Sequence, residues 1–346
     1  MIPKQILKKL IWSFVTTFLL LRLFNKKSVI RYGRYCLNRY FLRKKIPGIA
    51  VIALTFKCQC NCVCCSSNIF RNYYDNFTQM PLADIKIIIN KIADLGVPRI
   101  HFTGGEPLLR KDIVSIVKIC SERGLLTFVE TNGLLLTEVL VLALKEAGVS
   151  CINISLDSID YDRHDSARVL QGCYEKAIAA IKLCVKHCQN CMISTYATKK
   201  NIHNKDLSKI IRLAKELGCF GIRILASQPA GKWIGKEEVI LNKNDIRMVE
   251  EILPINFLVL NRTRLIKCPM KNGYKLFILP DGNIAPCEHL PFIFKDSKDI
   301  DMAKIADKIN SYEMFRDEYR CLPRDRKFIK RYLDGKISAS DHPLFI

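Results

Sequence analysis

From Ile49 onward the chain alternates short β-type runs with amphipathic helical stretches, and this alternation restricts the folds open to it. The apolar runs Ala50–Phe56, Arg99–Phe102, Leu125–Glu130, Cys151–Leu156, Met192–Ala197 and Gly221–Leu225 predict six strands. Between them, Pro81–Leu95, Asp112–Arg123, Thr137–Ala147, Tyr174–His187 and Asp206–Leu217 carry apolar residues at helical spacing. Several of these stretches run into a glycine (Gly96, Gly124, Gly148, Gly218), as a helix C-terminus should. Strand–helix repetition in series calls for a parallel sheet with right-handed crossovers. The expected class is α/β, a partial, three-quarter TIM-type (β/α)6 barrel, because a closed barrel needs eight units. Its functional loops then lie at the C-terminal ends of the strands. The alternation stops near Ala230–Lys243. This divides the chain into an arm at 1–47, a core at 48–230, a connecting segment at 231–266 and a small C-terminal unit at 267–346.

The formal net charge is +22, and over half of the excess sits in the arm, where residues 1–47 contain twelve Lys and Arg and no acidic residue. Within it, Leu10–Leu21 is uncharged and apolar between basic flanks. A spanning helix needs about 20 apolar residues, so this run is too short to cross a bilayer unless Arg22 is buried or snorkels. It fits an interfacial helix on an anionic membrane surface, or else a helix packed on the protein's own body. A nucleic-acid arm is disfavoured, because aromatic and basic residues do not interleave there. Sixteen cysteines in a chain of this size point to a reducing cytoplasm rather than to a disulfide scaffold. The expected location is cytoplasmic, peripheral at the inner membrane face.

Five cysteines crowd the loop after the first strand, in Cys58-Gln-Cys60-Asn-Cys62-Val-Cys64-Cys65. Only Cys58, Cys62 and Cys65 have CxxxCxxC spacing. Three thiolates this close can wrap one face of a cubane cluster and leave its fourth iron open. Zinc also suits thiolates but prefers four closed ligands, and the crowding alone does not decide between the two. The later strands also end in polar signatures. These are Thr103-Gly104-Gly105-Glu106-Pro107, then Glu130-Thr131-Asn132-Gly133, then Asn153-Ile154-Ser155-Leu156-Asp157-Ser158. Each is weak alone, but their order on the face of the cysteine loop is specific.

Over roughly Ile49 to Leu225 the sequence resembles the radical S-adenosylmethionine (SAM) superfamily. The resemblance implies that Cys58, Cys62 and Cys65 ligate a 4Fe-4S cluster whose open iron chelates SAM. It implies further SAM contacts from Gly104, Gly105, Glu106, Asn132, Ser155 and Asp157, and from Arg168 toward the SAM carboxylate. The chemistry implied is cleavage of SAM to a 5′-deoxyadenosyl radical that abstracts hydrogen from a substrate. The electron would come from a low-potential donor such as flavodoxin or ferredoxin. One departure stands out. The family usually has an aromatic residue before the last motif cysteine, and here that residue is Cys64, so the adenine contact is expected elsewhere, near Arg223–Leu225.

A second CxxxCxxC set, Cys184, Cys188 and Cys191, falls on a predicted helix and the next strand, where buried free cysteines fill cores. Cys36, Cys120, Cys151, Cys173 and Cys219 read the same way. Toward the C-terminus, Cys268 and Cys287 flank a Pro280-Asp281-Gly282 hairpin signal. This resembles the opening of a SPASM or twitch domain, the auxiliary-cluster module of radical SAM maturases. With only Cys321 to follow, the shorter twitch form is favoured: Cys268, Cys287 and Cys321 around an auxiliary 4Fe-4S cluster. The resemblance puts a peptide or protein substrate first. The arm, too short for a leader-binding domain, keeps open a lipid, isoprenoid or other membrane-associated substrate. A non-catalytic cysteine-rich metal-binding protein is the minor alternative.

Overall fold

The computed structural model describes residues 21–346, except 75–78, 255, 264–267, 271–272, 295–303, 317–320 and 339–340. Apart from Leu21, the run Leu10–Leu21 lies outside the described residues. No described helix is long and apolar enough to cross a membrane.

After helix α1 (Lys26–Cys36), which runs on as a π-turn over Leu37–Phe41, strands and helices alternate. They are β1 (Ile49–Thr55), α2 (Asn68–Tyr74), α3 (Leu82–Asp94), β2 (Arg99–Gly104), α4 (Ile113–Glu122), β3 (Leu126–Thr131), α5 (Glu138–Glu146) and β4 (Cys151–Ser155). Then follow α6 (Tyr161–Arg168), α7 (Cys173–Lys186), β5 (Cys191–Ala197), α8 (Lys199–His203), α9 (Asp206–Glu216) and β6 (Gly221–Ala226). The six expected strands and five expected helices are all present, within a residue or two at each end. The helix-ending glycines take positive φ, for example +93° at Gly96 and +76° at Gly218.

The sheet is larger than six strands. Helix α10 (Lys243–Glu251) leads into β7 (Leu258–Asn261), which pairs parallel to β6, so the segment 231–266 adds a further strand rather than only connecting. On the opposite edge, β8 (Lys275–Ile278) pairs parallel to β1, with Val51 opposite Phe277. Strand β9 (Ile284–Ala285) folds back antiparallel on β8 through the Pro280-Asp281-Gly282 turn. The order β7-β6-β5-β4-β3-β2-β1-β8-β9 makes one mostly parallel α/β sheet.

Side chains alternate across it. One face, with Ile52, Ile100, Val129, Ile154, Ile193 and Ile222, packs under the helices as the main core. On the other, inner face, Leu23 joins Leu126, Phe128, Cys151, Met192, Phe220 and Leu258, so the chain entering α1 closes the N-terminal ends of the strands. Val51, Ala53, Phe70 and Phe277 form a third cluster over β1 and β8.

Because Phe277 is 1% exposed and packs on β1, the C-terminal hairpin shares its core with the sheet. Phe277→Ala should cost roughly 3–5 kcal/mol and lower the urea midpoint of the whole chain in one transition. A β1–β6 core that unfolds unchanged would mean that the hairpin folds independently.

Candidate active site

The site begins where β2 meets the root of the cysteine loop. A Cβ on Gly104 would lie 1.9 Å from the Thr55 carbonyl oxygen, and one on Gly105 would lie 2.4 Å from that of Lys57. Without side chains the backbones close up: Gly105 N donates to Thr55 O at 2.7 Å and Glu106 N to Lys57 O at 2.9 Å. The two glycines therefore press against the chain itself at this point.

Glu106 follows and is fully buried. Its carboxylate accepts from Thr131 Oγ1 at 2.8 Å, Asn132 N at 2.8 Å and Leu108 N at 3.1 Å. Burial pushes its carboxyl up to about 7 against these three donors. Asn132 carries the link onward: its Nδ2 donates to Gln59 Oε1 at 3.2 Å and reaches Cys60 Sγ at 3.6 Å and Cys58 Sγ at 3.9 Å.

Helix α6 braces the same loop from the other side. Arg168 Nη2 donates to Asp157 Oδ2 at 2.5 Å, and Nη1 donates to Cys62 Sγ at 3.7 Å. The carbonyls of Ala167 and Arg168 accept from Val63 N at 2.9 Å and Asn61 N at 3.1 Å. Arg168 Nε is buried with no partner among the described residues. Ser155 ends β4 half-buried, opposite Ser194.

The five cysteines part company in this setting. Cys60 is 1% exposed and lies 4.0 Å from Cys173, sulfur to sulfur, while Cys58, Cys62, Cys64 and Cys65 keep partial exposure. The Cys58 and Cys62 thiols are both shifted down, first by the neighbouring Cys60 thiol, whose one proton serves either of them, and Cys62 also by Arg168. Burial pushes Cys64 and Cys65 up.

Sequence reasoning missed the loop after β6. Lys232 N donates to Cys65 O at 3.1 Å, and Lys232 Nζ donates to Asn61 O at 2.9 Å and Oδ1 at 2.5 Å. Gly231, at φ +58°, is required there, since a Cβ would sit 2.0 Å from Cys65 O. Trp233 packs edge-on to Tyr196 at 6.3 Å, and the Tyr196 hydroxyl reaches Ser66. Neither Lys232 nor Trp233 sits in a motif; only the glycine beside them hinted at a close approach.

The inner face between β2 and β8 is strongly polar. Glu130 accepts from Arg223 Nη1 at 2.7 Å, pairs again with Arg223 Nη2, accepts from Asn153 Nδ2 at 2.9 Å and meets His101 Nδ1 at 2.8 Å. Burial holds His101 down to about 4, so it is neutral at pH 7. For Glu130, burial alone would raise the carboxyl, but Arg223 and His101 outweigh it and hold it near about 2. Lys275 pairs with Glu288. Arg99 donates to the Gly48 carbonyl at 3.1 Å and to the Tyr274 hydroxyl at 2.9 Å. Arg262 shares the register of Leu258 and Leu260. It is lowered by burial and by Arg99 and Arg223, and no carboxylate acts on it among the described residues.

Of the second cysteine set, Cys184 and Cys191 are buried and Cys188 is exposed. Cys268 and Cys321 are buried and Cys287 half-buried. Burial pushes the Cys287 thiol up, and both Cys268 and Cys321 lie near enough to add to it. Among the described residues, no three His, Cys, Asp or Glu side chains converge as ligands of a single metal ion.

Residues 52–214 match the radical SAM superfamily. The chain is an enzyme that carries a radical SAM domain over these residues. S-adenosylmethionine and a 4Fe-4S cluster are its cofactors. It is 25% identical over 306 residues to an AdoMet-dependent heme synthase of Methanosarcina barkeri, covering 78% of this chain and 85% of that protein. It is 24% identical to a PqqA peptide cyclase of Gluconobacter oxydans over 288 residues, 78% of this chain and 79% of the other. The solved structure of anSMEcpe with bound AdoMet shares the fold, with a TM-score of 0.61, 15% identity and 81% of each chain covered.

Removing the Glu130 carboxylate leaves Arg223 unpaired, so Glu130→Gln should cost roughly 3–5 kcal/mol in urea unfolding. Its folded value near about 2 lies below the ordinary 4.5. The stabilisation is therefore complete above about pH 4.5 and is lost as pH falls through about 2, because the unfolded chain takes the proton first. The acid slope of stability should flatten in the variant. An unchanged slope would show that the Glu130 pair is not what acid disrupts.

Proposed function

We propose that Cys58, Cys62 and Cys65 hold the 4Fe-4S cluster and that SAM lies between the loops after β2, β4 and β5. The observation that carries this is the web of contacts onto the cysteine loop from Asn132, Arg168 and Lys232. The donor set fits, with three partly exposed thiols on one loop and two of them lowered toward neutrality. The partnerless Arg168 Nε beside Asp157 and Cys62 suits a carboxylate. With SAM bound, the reduced cluster would supply one electron that breaks the S–C5′ bond of SAM, releasing methionine and a 5′-deoxyadenosyl radical for hydrogen abstraction.

The chain's own residues bind and orient. Arg168 takes the SAM carboxylate, held in place by Asp157. Ser155 faces the ribose. The Glu106 carboxylate is committed to Thr131, Asn132 and Leu108, so the ammonium group falls to carbonyl oxygens of the Gly104-Gly105 turn, with Glu106 fixing their position. Tyr196 and Trp233 provide the aromatic surface missing at Cys64. Cys268, Cys287 and Cys321 hold an auxiliary cluster, and flavodoxin or ferredoxin delivers the electron.

The substrate lies on the inner face, and its charge is constrained. Arg223 and Lys275 have carboxylate partners there, whereas Arg99 and Arg262 meet none among the described residues. Two uncompensated cations suit an anionic substrate. A peptide or protein with acidic side chains is the first reading, supported by likeness to the PqqA peptide cyclase. A carboxylate-bearing small metabolite is the second, supported by likeness to the heme synthase. Peptide and small-molecule extracts, added separately to the reduced, reconstituted enzyme, should differ in how far they raise 5′-deoxyadenosine. The fraction that raises it holds the substrate class.

Alanine at Cys58, Cys62 and Cys65 together should abolish SAM cleavage, whereas alanine at Cys184, Cys188 and Cys191 should largely spare it. The reverse outcome would move the cluster to the second set. Reconstituted wild-type protein should carry about eight irons, two cubanes of four, and the Cys268/Cys287/Cys321 triple alanine variant about half as many. About four in the wild type would make the C-terminal cysteines structural.

A further inference from the structure

Helix α1 has two unlike faces. One is pinned to the fold: Ser28 and Tyr35 are buried, and Arg31 donates to Ala93 O at 2.7 Å and Arg123 O at 2.8 Å. A single guanidinium thus closes the carboxyl ends of α3 and α4. On the other face Val29, Ile30, Leu37, Tyr40 and Phe41, with Leu42 just beyond, are 53–77% exposed. Val29 and Ile30 are adjacent on α1, and Leu37, Tyr40 and Phe41 follow on the π-turn that continues it. Single apolar side chains are ordinary on a protein surface, but six exposed ones gathered on one helix and its end suit an interaction site.

The rim of the stripe carries charge of one sign. Lys26, Lys27, Arg34, Arg43, Lys44 and Lys45 are exposed around it, and no acidic residue occurs between 21 and 47. Of these six, only Lys45 meets a carboxylate among the described residues, that of Asp307 at 2.8 Å. Beside the stripe a groove of about 820 Å³ runs between α1 and the ends of α3 and α4, with Lys27, Arg34, Lys44 and Lys45 on its walls. Its two carboxylates are Asp94, paired with Arg123, and Glu122.

We propose that this face docks on an anionic lipid bilayer, with the α1 stripe at the acyl–headgroup boundary and the groove and rim taking headgroup phosphates. Long basic side chains around an aliphatic and aromatic stripe suit that boundary, where stems stay apolar and charges reach phosphate. In sequence, the uncharged run Leu10–Leu21 precedes this helix. This docking element is separate from that run and independent of the substrate reading. It places the N-terminal ends of the strands, which Leu23 closes, toward the lipid. The cysteine loop, at the opposite ends, faces the aqueous phase from which a soluble electron donor would approach.

The test uses the full chain and vesicles of phosphatidylcholine with or without phosphatidylglycerol. Wild type should co-sediment with the anionic vesicles roughly tenfold more than with the neutral ones, and less at high salt. The exposed-site variant Ile30→Gln/Leu37→Gln/Phe41→Gln should lose roughly tenfold in binding, with its circular dichroism and SAM cleavage unchanged. Arg34→Gln/Lys44→Gln should weaken binding to anionic vesicles alone. Wild-type binding by the triple variant would overturn the proposal and leave Leu10–Leu21 as the anchor. No vesicle binding by wild type, or equal binding to both lipids, would overturn it as well.

Discussion

The buried carboxylate of Glu106 holds the loops of this site in one arrangement. It sits two residues beyond the end of β2 and accepts hydrogen bonds from the loop after β3, through Thr131 and Asn132. Asn132 then touches the cysteine loop after β1. The Gly104–Gly105 approach to Thr55–Lys57 closes the circuit, because only a chain without Cβ atoms there lets β2 hand Glu106 to its neighbours. Three loops from three adjacent strands are thereby fixed to one another before any ligand binds. Such preorganisation lets a site orient its ligand without reordering itself. Burial lifts the Glu106 carboxyl to about 7 although three donors favour its charged form.

The inner face supplies a second constraint. Glu130 ties β2, β3, β4 and β6 together through His101, Asn153 and Arg223, so the polar layer is itself a structural joint. Below it, apolar side chains and Leu23 close the N-terminal ends of the strands. Leu23, Phe128 and Phe220 are buried together there, so this end of the inner face is apolar. The segment that carries Leu23 continues into α1, so the inner face of the sheet and the exposed face of α1 are joined in one piece of chain.

Much of this was legible in the sequence. Strand and helix periods, with glycines at helix ends, give the βα order because each unit must bury one face locally. The three motif loops could be placed on one side because strand polarity alone decides that. Other parts could not be read. Helix α6 is polar and short, held by its Asp160 cap rather than by an apolar stripe, so no periodicity reveals it. Strand β7 is four residues long, and β8 joins β1 across more than 200 residues of sequence, a pairing that no local pattern encodes. The partners of the Glu106 carboxylate, Thr131 and Asn132, stand twenty-five and twenty-six residues further along the chain, so no local pattern shows them. Lys232 and Trp233 escaped notice because their roles arise only when β6 brings them beside Cys65. Cys60 resembles its neighbours in sequence and differs from them in being buried and in facing Cys173.

The central claim is that Arg168, Asp157 and the cysteine loop form one site in which SAM meets the cluster. The direct measurement is electron–nuclear double resonance on the reduced, reconstituted protein with SAM labelled by nitrogen-15 in its amino group. The account predicts a resolved hyperfine coupling between the label and the cluster, lost when Cys58, Cys62 and Cys65 are replaced. A fully loaded, reduced wild-type protein that shows no coupling would contradict it.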